Sequence, residues 1–241
     1  MISRDSKIPF YYQLYEILRG KIVRGEWEPG DMLPTETDLL EQYEVSRSTV
    51  RQALDMLVSE GQITRQRGRG SFVAHPTVEQ GLSRIISFTE DMRQRGMEPH
   101  TEVLSKELVP ATAEIATRLK IEAGEELARL ERLRLADDEP LSIEEAYLVH
   151  KLCPGVLDQD YALYPLRETL SQKYGIRLVY ARQNIRAITA SKKMANALGI
   201  KFAAPLLYIE RISFSDKDIP VEFIRFFHRG DRYVLYNELR D

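Results

Sequence analysis

In the first third of the chain, apolar residues fall at helical spacing before they fall at strand spacing. Between Pro9 and Arg24 the residues Tyr11, Leu14, Tyr15, Leu18 and Ile22 recur at i, i+3, i+4, i+7 and i+11, one stripe of an amphipathic helix with Pro9 suited to its first turn. A second helix is predicted from Thr35: Thr35 and Asp38 have the spacing of a capping box, and Pro34 keeps the chain from turning helical earlier. It offers Leu39, Leu40 and Tyr43 to a core. After the short connection Glu44, Val45, Ser46, a third helix is predicted from about Arg47 to Ser59, with Ser46 as N-cap and Gly61 just past its end. Its apolar face is Val50, Ala53, Leu54, Leu57 and Val58; Arg47, Ser48, Arg51 and Asp55 lie opposite. From Ile63 to Val73 the pattern becomes two short strands about Gly68 and Gly70.

Apolar periodicity lapses near His75, Pro76 and Thr77, which predicts one domain over 1–75, a linker over 76–82 and a second domain over 83–241. The second domain repeats itself at an offset of 79 residues: Ala111 matches Ala190, Leu119 matches Leu198, Leu127 matches Leu206, and Arg132 matches Arg211. Each copy reads as a short helix, a strand, a turn (Asp137-Asp138-Glu139, then Ser215-Asp216-Lys217-Asp218) and a returning strand, so two copies predict one antiparallel sheet. The fold class is α+β.

At 241 residues with 43% hydrophobic content the chain can bury two small cores. The lone cysteine, Cys153, allows no internal disulfide, and no cysteine-histidine cluster has metal-ligand spacing, which points to a reducing cytoplasm, no metal and no cofactor. No apolar run suits a signal peptide or a membrane span. The net charge of −3 gives no global sign of a nucleic-acid partner, but residues 46–73 carry five arginines against two acids, a local excess of +3.

That excess sits on two tightly joined helices followed by a glycine-tipped hairpin, a combination suited to double-stranded DNA. Arginine can fork onto guanine O6 and N7, hydroxyls can bond phosphate oxygens, and a basic hairpin carrying Arg65, Arg67 and Arg69 fits the negative minor groove. In the second domain, strand alternation puts Arg132 and Arg134 on one face, and Ser142, Glu144 and Ala146 on one face of the returning strand. Two arginines so spaced make a fork for an anion. A solvated cross-strand salt bridge is the alternative that spacing alone leaves open.

The stretches PFYYQLYEILRGKI and GDMLPTETDLLEQYEVSRSTVRQALDMLVSEGQITRQRGRGSFV resemble the DNA-binding head of the GntR family. The closest matches are the blocks Leu33–Glu36, Ser46–Leu54 and Gly68–Val73. The resemblance implies a winged helix-turn-helix in which Thr35, Arg47, Ser48, Thr49 and Arg51, with Arg67, Arg69 and Gly70 of the wing, contact DNA. Residues 83–241 resemble the UTRA effector domain, of chorismate-lyase-like fold, through SFTEDMRQRG at Ser87–Gly96, Arg132-x-Arg134 ahead of Pro140, Ile143-Glu144, and RGDRY at Arg229–Tyr233. In relatives that sense phosphorylated amino sugars, the resemblance places the phosphate on residues matching Phe88, Thr89, Arg132 and Arg134, and the sugar on those matching Glu144 and Glu222.

Two departures bear on the ligand. A Ser-Leu-Tyr step of those relatives is Pro165-Leu166-Arg167 here, and a tyrosine that closes the site is His228. Arg167 either supplies a third cation or lies exposed on a helix. The resemblance thus implies a homodimeric repressor of a palindromic operator, released by a small anionic metabolite: a phosphorylated sugar or amino sugar, or alternatively a carboxylate. The competing classes are a lyase-type enzyme, for which no nucleophile-base pair is evident, and a constitutive DNA binder without ligand.

Overall fold

The computed structural model describes residues 2–4, 8–66, 68–74, 78–81 and 85–238. The chain forms two compact units, Met1–Pro76 and Thr77–Asp241.

The first unit packs α1 (Phe10–Val23), α2 (Glu36–Tyr43) and α3 (Arg47–Ser59) around one core, with a hairpin of β1 (Ile63–Gln66) and β2 (Gly70–Val73) at its side. Leu14 and Leu18 of α1, Leu39 of α2, and Val50, Leu54 and Leu57 of α3 meet Ile63 and Val73 of the hairpin in that core. Pro9 stands at the N-cap position, one residue before the predicted first turn. The capping box at α2 forms as the spacing predicts. Val58, expected in the core, is 39% exposed, one residue before α3 ends at Ser59. Gly70 opens β2 at φ 119°, a conformation that a side chain would strain, with the Met32 Sδ atom 3.5 Å from where a Cβ would sit.

The second unit is built on a six-stranded antiparallel sheet in the order β4-β5-β6-β9-β8-β7. Its strands are β4 (Pro99–Pro110), β5 (Glu126–Ala136), β6 (Glu139–Val149), β7 (Leu178–Thr189), β8 (Pro205–Ser215) and β9 (Pro220–Arg229). The repeat explains this order. Each half is strand, helix, strand, strand, with α5 (Ala113–Leu119) and α7 (Lys192–Leu198) in equivalent places, and the halves join through β6 and β9 at the centre. The leading strands β4 and β7 were not predicted from the sequence. They are sheet edges whose solvent side is polar, so their apolar alternation is weak. Asp137 and Asp138 both adopt left-handed backbone (φ 49° and 62°) in the tight turn from β5 to β6.

Both helices cover the same side of the sheet, α5 against Leu127, Tyr147 and Phe223, and α7 against Leu133, Ile143 and Phe227. The residues alternate with those on the opposite side, which is covered at one end by α6 (Leu166–Tyr174) and the segment carrying Val156 and Tyr161. At the other end, α4 (Phe88–Gln94) supplies Met92 to a small core with Val78 and Tyr233. Val78 belongs to β3 (Val78–Gly81), which pairs in parallel with β10 (Tyr233–Tyr236). This strand lies in the stretch expected to be linker. Only one of its residues, Val78, is a large apolar one, so its order comes from pairing with a segment far along the chain, which local pattern does not reveal. Residues 76, 77 and 82 of that stretch lie outside the described residues.

Candidate functional site

On the first unit, the start of α3 gathers three hydroxyls. Ser46 Oγ caps the helix by accepting from the Thr49 backbone N–H at 3.2 Å, and lies 2.8 Å from Ser48 Oγ and 2.9 Å from Thr49 Oγ1. Arg47 and Ser48 are exposed beside it and Thr49 is half-buried. Arg51, one turn on, is exposed and donates to Glu36 Oε2 at 3.1 Å. Thr35 is exposed, but its hydroxyl is engaged with Asp38 at 2.7 Å as part of the cap. In the hairpin, Arg65 pairs with Asp55 at 2.5 Å, and Arg69 donates to Gln66 at 2.8 Å with its guanidinium over Phe72. Arg67 lies outside the described residues. The helix start and the hairpin thus present exposed arginines and hydroxyls on rigid elements, the combination that reads grooves and phosphates.

On the second unit, the sheet side not covered by α5 and α7 opens into a cleft whose volume, mouth included, is about 740 Å³. Its floor is an arginine-carboxylate-arginine unit. Glu144 of β6 stands opposite Arg132 of β5, and both carboxylate oxygens are used: Oε1 accepts from Arg132 Nη2, Oε2 from Arg134 Nε at 3.0 Å. Arg134 Nη1 donates to Thr101 Oγ1 at 2.7 Å, and its guanidinium lies over Phe88. Arg132 is 1% exposed, and its Nε and Nη1 have no hydrogen-bond partner. The predicted salt bridge and the predicted fork are therefore the same structure, buried rather than solvated.

Charge and burial set the protonation here. Burial pulls the Arg134 guanidinium down to about 10, helped by the positive Arg132 beside it. Burial would raise the Glu144 carboxyl, but Arg132 and then Arg134 outweigh it and hold it at about 2. Glu222, on β9, has no arginine so placed; burial pushes its carboxyl up and the negative Glu144 adds to the shift. Burial drops the His228 imidazole to about 3, with Arg211 contributing. His228 stacks on Phe226 and meets the Tyr233 ring at a tilt, and among the described residues its Nδ1 has no hydrogen-bond partner.

A neutral buried histidine stabilises the fold fully above its unfolded value near 6.5, and that contribution is lost as pH falls from there toward 3. Glu144 behaves likewise between about 4.5 and about 2. Glu222 has the opposite sign, since protonation relieves it. Replacing His228 by Phe, which keeps the ring stack, is expected to make the second unit relatively more stable than wild type as pH drops from 6.5 toward 3. Calorimetric melting of both proteins across that range measures this, and a gap between the two curves that stays constant with pH contradicts it.

Of the eight residues expected to hold the effector, Phe88, Arg132, Arg134, Glu144, Arg167, Glu222 and His228 line the cleft. Thr89 does not. Ser87, Phe88 and Asp91 share the face of α4 turned to the cleft, and Thr89, a third of a turn past Phe88, points elsewhere. Arg167 is half-buried and donates to the carbonyls of Ile85 and Leu178 at 2.7 and 2.9 Å, so it is not an exposed helix residue. Sequence reasoning missed Arg211, which also lines the cleft. The available signal was the repeat, which matches it to Arg132.

A winged helix-turn-helix unit followed by a sheet domain with a buried, charged cleft defines a DNA-binding regulator of the effector-responsive kind. The chain belongs to the gntR family of bacterial regulatory proteins, whose model matches residues 10–73, and carries a UTRA domain over residues 94–234. It is 37% identical to the HTH-type transcriptional repressor NagR of Bacillus subtilis, over 97% of this chain and 96% of that one. It is 30% identical to an Escherichia coli K12 protein described as a "probable fructoselysine utilization operon transcriptional repressor", over 97% of this chain and 96% of the other. Among solved structures, PhnF from Mycobacterium smegmatis superposes with a TM-score of 0.73 at 26% identity, covering 94% of this chain and 99% of that chain. Among the described residues, no helix is long and apolar enough to cross a membrane.

Proposed function

We propose that this regulator is a cytoplasmic homodimeric repressor that holds a palindromic operator and releases it when a small anionic metabolite, a phosphorylated sugar or amino sugar, enters the cleft. Arg47, Ser48, Thr49 and Arg51 read the major groove, and Arg69 and Gly70 the minor groove. The observation that carries the effector reading is Arg132: a buried cation at a cleft, with two N–H groups unpartnered, is costly unless an anionic guest completes it. The repressor named for fructoselysine utilization is consistent with a sugar-derived effector.

The cleft is coupled to the chain leaving the head by short links. Tyr233 and Gln80 both line it, Tyr233 begins β10, and Gln80 belongs to β3, the first described segment of the second unit. A guest that pulls on Tyr233 or Phe88 shifts β3, and a preference of about 1–3 kcal/mol for one arrangement is enough to weaken operator binding.

Mobility shifts with fragments of the chain's own genome, with and without glucosamine 6-phosphate and glucose 6-phosphate, test the proposal. Wild type is expected to bind a fragment in a salt-sensitive way and to let go with one of the sugar phosphates, whereas Arg134→Ala persists on DNA at concentrations that dissolve the wild-type complex. No salt-sensitive binding, or release of Arg134→Ala as readily as wild type, would sink it.

A further inference from the structure

Half-buried and buried arginines elsewhere in the second unit are matched by carboxylates. Arg129 pairs with Glu107, Glu131 and Glu145 at 2.6, 2.9 and 3.2 Å; Arg118 pairs with Glu210 at 3.1 Å; Arg229 pairs with Glu139 and Asp231, each at 2.8 Å. Two arginines of the cleft break that rule. Arg211 Nε and Nη2 both donate to Gln183 Oε1, at 3.1 Å each, and Phe226 lies under the guanidinium plane with its centroid 4.8 Å away. Both partners are uncharged, and among the described residues no hydrogen bond is made by Nη1. Arg167 is held by two backbone carbonyls. Among the described residues, neither has a carboxylate at salt-bridge distance.

These two cations neighbour each other, since both line the main cleft and the depression that continues from it along β7 and β8. They lie on different structure from the first pair: Arg211 is the second-repeat counterpart of Arg132, and Ile224 stands opposite Arg211 where Glu144 stands opposite Arg132. The acid closest in kind, Glu222, is the one whose burial favours the neutral form. The cleft therefore gathers four guanidinium groups against three acids, of which Glu144 is bonded to Arg132 and Arg134, Asp91 is engaged by Arg95 at 2.9 Å, and Glu222 is shifted by burial toward its neutral form. Gln183 along one edge and Phe226 beneath the plane fix the Arg211 guanidinium as a flat fork, the shape that pairs with a carboxylate.

We propose that Arg211, with Arg167 beside it, seats a second anionic group of the effector, so that the ligand is a phosphorylated sugar acid carrying a phosphoryl group and a separate carboxylate. This rests on the reading of the cleft as an anionic-effector site and narrows it. Arg132 and Arg134 take the phosphoryl group; the fork on the second repeat takes the carboxylate; Glu222, which lines the same cleft, bonds a hydroxyl of the sugar chain.

Isothermal titration of the full chain with 6-phosphogluconate and with glucose 6-phosphate, probes of similar length that differ in the second charge, tests it. Wild type is expected to prefer 6-phosphogluconate at least tenfold, the effect of one charge-assisted hydrogen bond at a buried site. Arg211→Gln is expected to bring the ratio below threefold, and Arg211→Lys, which keeps the charge, to hold it above fivefold. A wild-type ratio under tenfold with glucose 6-phosphate still bound overturns the two-anion inference and leaves the anionic-effector reading standing. So does a preference that survives Arg211→Gln. If neither compound binds, the two-anion inference falls, and release from DNA by glucosamine 6-phosphate decides the anionic-effector reading. Should Arg211→Gln not fold by circular dichroism, the wild-type ratio and the Arg211→Lys ratio decide.

Discussion

Replacing Glu144 by glutamine is expected to destabilise the second unit by about 3–5 kcal/mol, the usual cost of removing one member of a buried ion pair. The shape of the side chain is nearly kept, so packing is not the cause. What goes is the charge bonded to both Arg132 and Arg134, which are 1% and 6% exposed and would then repel each other across a poorly solvated floor. Urea unfolding of the full chain should show the transition of the second unit at lower denaturant, with the transition of the first unit in place. Inorganic phosphate should narrow the gap, because an anion entering the cleft stands in for the lost carboxylate. If Glu144→Gln unfolds with wild type, Glu144 is not what makes burial of these arginines tolerable.

The double variant Arg51→Ala, Arg69→Ala is expected to lose at least about a hundredfold in affinity for an operator fragment at physiological salt, roughly tenfold for each contact. The slope of log affinity against log salt should also become shallower by about 1 to 2, according to how many of the two meet phosphate. Neither arginine supports the core: Arg51 is exposed at the start of α3, and Arg69 sits at the tip of the hairpin. Arg51 does have to leave Glu36, 3.1 Å away, to engage DNA, so its net contribution is smaller than that of an unpaired cation. Filter binding over a series of salt concentrations measures both quantities. A variant that keeps wild-type affinity and slope would place the DNA surface elsewhere on the head.

The helices of the head were legible because their signals are local. Thr35 with Asp38, Ser46 with Thr49, and Gly61 past α3 set the ends, and the 3.6-residue stripe of Val50, Ala53, Leu54 and Leu57 sets the buried face. Val58 misled because a stripe does not tell where the neighbouring element stops. In the second unit, period-2 alternation correctly put Arg132 and Arg134 on one face of their strand and Glu144 with Ser142 on one face of the next, and the register then brought the two faces together. Whether that contact was solvated depended on α4, α6 and β10 walling the cleft, and no local pattern carries that information. The edge strands β4 and β7, the strand at Val78–Gly81 and the role of Arg211 were hidden for the same reason: each is defined by a partner distant in sequence.

The two halves of the sheet share a skeleton without sharing chemistry. Where the first offers an arginine facing a glutamate across β5 and β6, the second offers Arg211 facing Ile224 across β8 and β9, and the place matching Ser142 holds Glu222. A floor with true twofold symmetry would accept a guest either way round, or two guests at once. Because these halves are unequal, a molecule settling here would meet a different set of atoms at each end, which gives the floor a direction.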